Sequence, residues 1–175
     1  MTAWDELLER NRVYSETMHI PRPDLPDVKP SPILIFCCID LRVPIKEFLY
    51  ISPEDAFVIR NCGGRVKPNL NDLIFMEATQ VGALQNIIVI HHTDCGFTYH
   101  TDKGLKEKLK VRHPNLVAEV DSLCWDTFGS SDRLEESVRE DLSLLRVQRF
   151  VRQELIDNAK GYVYDIKMGI LKEVV

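Results

Sequence analysis

The sequence predicts an α/β protein with a mostly parallel β-sheet flanked by helices. Two observations predict this class. Segments with helical spacing alternate with apolar runs, and three of those runs read as buried strands: "PILIFCC", "DAFVIRN" and "NIIVIHH". Continuous apolar strands that alternate with amphipathic helices are typical of a parallel sheet covered on both faces.

The N-terminal arm, residues 1–30, is expected to contain one helix followed by an extended linker. The linker, "HIPRPDLPDVKPSP", holds five of the nine prolines, and proline pushes the preceding residue out of the helical region. The helix can pack on its own domain or reach over a partner subunit, and the sequence leaves both open. It is predicted over residues 2–16, with one apolar stripe that includes Trp4, Leu7 and Leu8.

Residues 31–175 complete what we expect to be a single domain of 175 residues. "NLNDLIFMEATQVGAL" predicts a helix whose apolar stripe includes Val81. Residues 99–131 are polar and mixed, and we expect an excursion with one helix around residues 103–123. "RLEESVREDLSLLRVQRFVRQELI" predicts one amphipathic helix, and "GYVYDIKMGILKEVV" predicts a strand, a turn and a second short strand.

Composition excludes several classes of function. The net charge of −5 argues against non-specific binding to nucleic acid or to an anionic membrane, which normally requires a basic face. No run approaches the length of a membrane span, and "MTAWDELLER" lacks the apolar region of a secretory signal. An odd number of cysteines without an export signal predicts free thiols or metal ligands in the cytosol; they are Cys37, Cys38, Cys62, Cys95 and Cys124.

Reactive side chains follow two of the predicted strands. The first strand runs into Cys38-x-Asp40-x-Arg42, and the third runs into His92-Thr93-Asp94-Cys95. The carboxyl ends of parallel strands share one edge of a sheet, so these groups meet if the two strands are neighbours. Together they offer two thiols and an imidazole, a set that Zn²⁺ accepts with its fourth position open. Thiolates favour zinc over magnesium or calcium, whereas iron and cobalt remain compatible with this ligand type.

This set predicts attack by a zinc-bound hydroxide. Zinc lowers the pKa of a bound water towards ~7. If the chain stays extended past Cys38, then Asp40 and Arg42 point the same way as that thiol. Asp40 would accept a hydrogen bond from the zinc-bound hydroxide. Arg42 would keep the Asp40 carboxylate ionised and oriented. Released from Arg42, Asp40 could instead bind zinc and close the site, which we state as a hypothesis.

The two motifs, with "VIRNCGGRV" between them, resemble the β-class carbonic anhydrases, in particular their short members. The resemblance runs from about residue 31 to the C-terminus; it is weak over residues 99–131 and does not include the N-terminal arm. It implies a β-carbonic-anhydrase-like fold and an obligate homodimer or homotetramer with the site near the subunit interface. It also implies an Asp40–Arg42 dyad and zinc on Cys38, His92 and Cys95.

Cys62 departs from the family pattern, which more often has alanine there. We expect its thiol, together with Gly63 and Gly64, near the substrate pocket. Asp94 is expected either to cap the following turn or to make a hydrogen bond that supports the ligands. His91 alternates with His92 along the strand, so we expect it to point away from the site.

The substrate stays open between two small linear molecules. The chemistry suits CO₂, which gives bicarbonate, and carbonyl sulfide (COS), which gives H₂S and CO₂, and no feature of the sequence separates them. Some short members of the family, including fungal ones, resemble carbonyl sulfide hydrolases with the same zinc ligands. The alternative from another class is a non-catalytic structural-zinc or redox-sensing module. Against it, structural zinc sites usually have four protein ligands, often from C-x-x-C pairs, and no C-x-x-C occurs here.

Overall fold

A five-stranded sheet forms the centre of the computed structural model, which describes residues 2–24, 28–80 and 82–175. Its strand order is β2-β1-β3-β4-β5; the first four strands in this order are parallel to one another, and β5 is antiparallel to β4. The predicted α/β class and the C-terminal strand-turn-strand are therefore confirmed. The strands are β1 (Ile33–Cys38), β2 (Ala56–Asn61), β3 (Asn86–His92), β4 (Lys160–Asp165) and β5 (Ile170–Val174).

An N-terminal helix, α1 (Ala3–Thr17), precedes the sheet in the chain. The other helices are α2 (Ile45–Phe48), α3 (Leu70–Thr79), α4 (Asp102–Arg112), α5 (Val117–Ser122), α6 (Leu134–Arg146) and α7 (Gln153–Asp157), of which α6 and α7 pack directly on the strands. Alternate residues of β1 belong to two different apolar clusters: Phe36 and Cys38 lie in one, and Ile35 and Cys37 lie in the other. Both faces of the strand are buried, which explains why its sequence is a continuous apolar run rather than an alternating one.

The N-terminal helix forms as expected but buries none of its residues. The Thr2 side chain caps it by accepting from the backbone N–H of Asp5, and the Asp5 carboxylate accepts from the Thr2 backbone in return. The predicted linker has no helix or strand over residues 19–24 and 28–32; its residues 25–27 lie outside the described part, as does Val81. Among the described residues, every helix is too short or too polar to cross a membrane.

Three helix predictions were wrong in their extent. The helix expected over "NLNDLIFMEATQVGAL" ends at Thr79 and does not reach Leu84. The expected helix over residues 103–123 is two helices, α4 and α5, because Pro114 disfavours helical conformation in the residue before it. The expected single helix after Arg133 ends at Arg146, and α7 begins at Gln153. The break lets Arg152 donate to the buried Glu77 carboxylate and to the Leu84 carbonyl oxygen.

Candidate active site

The sheet brings the two predicted motifs together. Strands β1 and β3 are neighbours with Cys37 paired to Ile90, so Cys38 and His92 reach the same edge. The turn after β3 then returns Cys95 to this edge, with its Sγ 3.9 Å from the Sγ of Cys38. One ligand atom from each of Cys38, His92 and Cys95 lies within 4.8 Å of the other two, and all three residues are buried. We call this set the three-donor group.

The protonation of His92 suits metal binding. Its Nδ1 lies 2.9 Å from the Thr93 carbonyl oxygen, which can only accept, so Nδ1 carries the hydrogen. The Nε2 atom therefore holds a lone pair, and it is buried without a hydrogen-bond partner. A buried polar atom without a partner is costly unless something binds there. The imidazole is thus oriented as a metal ligand, with its tautomer set by the adjacent backbone.

The two thiols also suit a cation. A hydrogen bond from the Cys95 thiol lowers the pKa of Cys38, and the same contact raises the pKa of Cys95. The pair therefore loses one proton readily and keeps the second. A positive charge between the two sulfurs would favour the thiolate form of both. Two thiolates and one imidazole are a donor set that Zn²⁺ prefers, so these residues fit a zinc ion.

Asp40 and Arg42 are in contact, although the chain does not stay extended after β1. Instead it turns, with the backbone N–H of Arg42 donating to Asp40 Oδ1 (2.9 Å) and that of Val43 donating to the Asp40 carbonyl oxygen (3.1 Å). The Arg42 side chain donates from Nε to Oδ1 (3.0 Å) and from Nη2 to Oδ2 (2.7 Å). These bonds lower the pKa of Asp40 to about 2. Its Oδ2 lies 3.9 Å from Nε2 of His92, next to the three-donor group.

Asp94 lies on the other side of the same guanidinium. Its carboxylate Oδ2 accepts from Nη1 of Arg42 at 2.6 Å, and its carbonyl oxygen accepts from Nη2 at 2.9 Å. The Tyr99 hydroxyl donates to Oδ1 of Asp94. The sequence left Asp94 between a cap and a hydrogen bond that supports the ligands; in the structure its side chain contacts Arg42 and Tyr99.

A cavity of about 310 Å³ opens beside the three-donor group. Two of the donors, Cys38 and Cys95, form part of its wall, and so does Asp40. Cys62 and Gly63 also line it, whereas Gly64 lies outside the lining, buried at the carboxyl end of β1. The remaining wall is mainly apolar and was not identified from the sequence: Ile39, Gly96, Phe97, His100, Leu105 and Thr127.

Gly64 holds the loop after β2 against the backbone of β1. Its φ is +74°, and a Cβ there would lie 2.9 Å from the Cys38 nitrogen and 3.0 Å from the Ile90 carbonyl oxygen. We expect Gly64→Ala to lower the free energy of unfolding by about 3 kcal/mol, because backbone atoms cannot move aside and the φ is unfavourable. Urea denaturation measures the loss.

Gly82→Ala is the matched control for that substitution. Gly82 has a similar φ of +77°, but among the described residues, its chain neighbours aside, no atom lies within 4 Å of the added Cβ. Its substitution should therefore cost only the conformational penalty, about 1 kcal/mol. Equal losses in the two variants would contradict the close approach of Gly64 to β1.

A buried polar network behind the site was missed in the sequence. His91 points away from the three-donor group, as expected, and its ring lies between Ser137 (Nδ1 to Oγ, 2.7 Å) and Asp141 (Nε2 to Oδ2, 3.1 Å) of α6. Nε of Arg65 lies 3.6 Å from the same Asp141 oxygen. One sequence feature could have predicted this network. Ser137 and Asp141 are four residues apart within the apolar stripe of α6, where a buried polar side chain needs a hydrogen-bond partner.

Asp141 should therefore contribute more to the free energy of unfolding than the adjacent, exposed Glu140. Asp141→Ala removes the carboxylate beside His91 and Arg65, and leaving buried polar groups unpaired costs about 3 kcal/mol or more. Glu140→Ala removes a carboxylate that is 42% exposed and pairs with the exposed Arg133 and the buried Arg65; Arg65 keeps its bond to the Ser137 carbonyl oxygen, so we expect a smaller loss of about 1 kcal/mol. Chemical denaturation of both variants compares them. A loss for Glu140→Ala as large as that for Asp141→Ala would contradict this ranking.

The other two cysteines lie away from the cavity. Cys37 faces the opposite side of β1 from Cys38, and burial raises the pKa of its thiol to about 11. Cys124 is exposed, and its thiol donates to Asp126 at 3.0 Å. All five cysteines are free thiols.

Comparison with known proteins places this geometry in a family. The family model described as "Carbonic anhydrase" matches residues 33–171. The chain is 29% identical to beta-carbonic anhydrase 1 of Mycobacterium tuberculosis over 174 residues, 99% of each protein. It is 42% identical to the carbon disulfide hydrolase of Saccharolobus solfataricus over 156 residues, 79% of this chain and 75% of that protein.

The solved structures agree. The carbonic anhydrase of Streptococcus mutans superposes with a TM-score of 0.80 and 29% identity, over 100% of this chain and 99% of that one. The matched region contains the whole three-donor group and the loops that carry Asp40, Arg42 and Asp94. The chain therefore belongs to the β-carbonic anhydrase family, a family of zinc enzymes.

Proposed function

We propose that this protein catalyses the reversible hydration of CO₂ to bicarbonate, with zinc held by Cys38, His92 and Cys95. The observation that carries the proposal is the three-donor group, because two of its members line a cavity and, among the described residues, it includes no fourth protein donor. A site with three protein ligands beside a cavity is typical of catalytic rather than structural zinc. It disfavours the alternative of a structural-zinc or redox-sensing module.

Each side chain has a distinct task in this proposal. Zinc, when bound, would supply a water molecule that ionises near neutral pH. Asp40 is ionised and can only accept hydrogen bonds, so it orients this water's remaining hydrogen away from the substrate. Arg42 holds the Asp40 carboxylate through side-chain bonds from Nε and Nη2 and through one backbone bond. The apolar wall, with Ile39 and Phe97, admits a small uncharged molecule and offers it few polar competitors.

Hydrolysis of a carbon–sulfur double bond is the second candidate function. In this reaction COS and water give H₂S and CO₂. Cys62 and the apolar wall favour it, because a larger and more polarisable substrate gains more from contact with thiols and aromatic rings. The relative from Saccharolobus solfataricus named a carbon disulfide hydrolase is consistent with such chemistry in this fold.

One set of measurements tests both candidates. Zinc per chain is measured in the purified protein, and CO₂ hydration and H₂S release from COS are then assayed side by side. We expect about one zinc per chain and activity towards at least one substrate. Cys62→Ala should lower the ratio of COS to CO₂ activity if the thiol favours sulfur substrates. Protein that binds zinc but acts on neither substrate would contradict both.

We further propose that the chain is one domain that assembles as a homodimer or homotetramer. The support is α1, all of whose residues are exposed although its apolar side chains include Trp4, Leu7 and Leu8. A helix of 15 residues is marginal without tertiary contacts, so a second copy that covers this stripe would stabilise it. Light scattering after size-exclusion chromatography gives the mass. The cytosol stays the proposed compartment, supported by the five free thiols.

A further inference from the structure

We propose that Asp94 and Tyr99 are positioning residues for the proposed hydration reaction: they hold Arg42, and through Arg42 they hold the Asp40 carboxylate beside the three-donor group. The inference rests on the proposed function for its kinetic consequence only. The contacts themselves form a chain from Tyr99 to Asp94, to Arg42 and to Asp40.

The two carboxylates use different hydrogens of the guanidinium. Asp40 accepts from Nε and Nη2, whereas Asp94 accepts from Nη1 through its side chain and from Nη2 through its carbonyl oxygen. A guanidinium has five N–H groups, and two of them lie on Nη2. Both partners are therefore satisfied at once, so Asp94 braces Arg42 rather than drawing it away from Asp40.

The contacts between Asp94 and Arg42 join the two loops that follow β1 and β3, next to the proposed zinc ligands. Asp40 and Arg42 follow Cys38 at the end of β1, and Asp94 lies between His92 and Cys95 at the end of β3. Asp94 has a φ of 56°, a conformation that aspartate and asparagine adopt more easily than most residues. This turn directs both its side chain and its carbonyl oxygen towards the same arginine.

Tyr99 restricts the rotation of the Asp94 carboxylate. Its hydroxyl donates to Oδ1 while Arg42 occupies Oδ2, so each carboxylate oxygen has one partner. The side chains of Arg42 and Asp94 are 48% and 43% exposed, and an isolated pair so exposed contributes little. A connected network with a multiply bonded arginine is the exception, because the geometry of each member is fixed by the others.

A double-mutant cycle tests this role. Asp94→Asn and Asp94→Gly both tolerate a positive φ, and we expect each to lower kcat/KM by about tenfold, through displacement of Asp40. Tyr99→Phe should cause a smaller loss. In an Arg42→Ala background, neither Asp94 variant should cause a further loss. Losses that add to that of Arg42→Ala, or zinc lost from the Asp94 variants, would overturn the proposal by showing that Asp94 acts through the ligand loop.

Asp126→Asn is the matched control. Asp126 also has a positive φ, 53°, but its carboxylate pairs with Lys67 rather than with Arg42. We expect no coupling between Asp126→Asn and Arg42→Ala. Coupling as large as that of Asp94 would show that the cycle reports a general effect of charge, which would overturn the assignment.

A second readout does not depend on activity. In ¹⁵N NMR spectra of the zinc-loaded protein, a braced guanidinium rotates slowly about its Nε–Cζ bond and shows separate Nη1 and Nη2 signals. We expect separate signals for Arg42 in the unmodified protein, assigned by their loss in Arg42→Ala, and averaged signals in Asp94→Gly. The same pattern in both proteins would overturn the proposal. A protein inactive on CO₂ and COS would instead contradict the proposed function. The spectra would still show whether Asp94 restricts the rotation of the Arg42 guanidinium.

Discussion

Cys38→Ser is expected to abolish zinc binding and to reduce CO₂ hydration by about 1,000-fold or more. A serine hydroxyl stays protonated at neutral pH, whereas Cys38 is the thiol whose pKa is lowered by Cys95. The substitution leaves one thiol and one imidazole, too few donors for a tight zinc site. Without zinc, no group in the site can ionise water near neutral pH. Metal analysis of the purified variant, followed by a stopped-flow hydration assay, measures both losses.

Cys62→Ser is the control for the metal measurement. Cys62 lines the same cavity but does not belong to the three-donor group. Its variant should keep one zinc per chain, which separates the loss of a ligand from the loss of any thiol near the cavity. If Cys38→Ser retained a full equivalent of zinc, the proposed ligand set would be wrong.

The sequence was sufficient to predict the sheet and the meeting of the two motifs. Both follow from a local property: β1 and β3 are buried on both faces, so their residues form apolar runs that end where the polar groups begin. Parallel pairing then places the ends at one edge, although Cys38 and His92 are far apart in the chain. Proximity of Cys38 and His92 therefore needed no knowledge of the loops, whereas Cys95 reaches them only through the turn after β3.

Contacts that depend on loop geometry could not be predicted in this way. Asp40 and Arg42 do meet, but through a turn in which the Asp40 side chain accepts from the Arg42 backbone, and not through an extended strand. The contact of Arg42 with Asp94 crosses between loops and depends on the positive φ of Asp94. No spacing in the sequence specifies that angle, because several residue types can adopt it.

The break between α6 and α7 shows a different limit. Residues 147–152 contain no glycine or proline to end the helix, and Val151 is buried although it lies between the two helices. The non-helical conformation of this segment is stabilised by contacts with residues distant in sequence, because Arg152 donates to Glu77 and to the Leu84 carbonyl oxygen. The local hydrophobic pattern contains no information about such long-range contacts. Tertiary contacts therefore override the helical preference of residues 147–152.

The functional importance of Arg42 is the second large effect that we expect. Arg42→Ala should keep one zinc per chain, because Arg42 contributes no ligand, but it should lower kcat/KM for CO₂ by about 100-fold. The variant loses the side-chain bonds that hold Asp40, and Asp40 is then free to rotate away from the cavity or towards the three-donor group. Arg42→Lys should recover only part of the activity, since an ammonium group cannot hold two carboxylates in the same fork geometry.

Arg133→Ala provides the comparison that makes this result specific. Arg133 is 45% exposed, close to the 48% of Arg42, and it also bridges two carboxylates, those of Glu136 and Glu140. Its loss should leave kcat/KM within about twofold, because surface ion pairs away from the site contribute little. Full activity in Arg42→Ala would show that Asp40 needs no partner to stay in position. The proposed task of the dyad would then pass to Asp40 alone, whose turn with the Arg42 backbone survives the substitution.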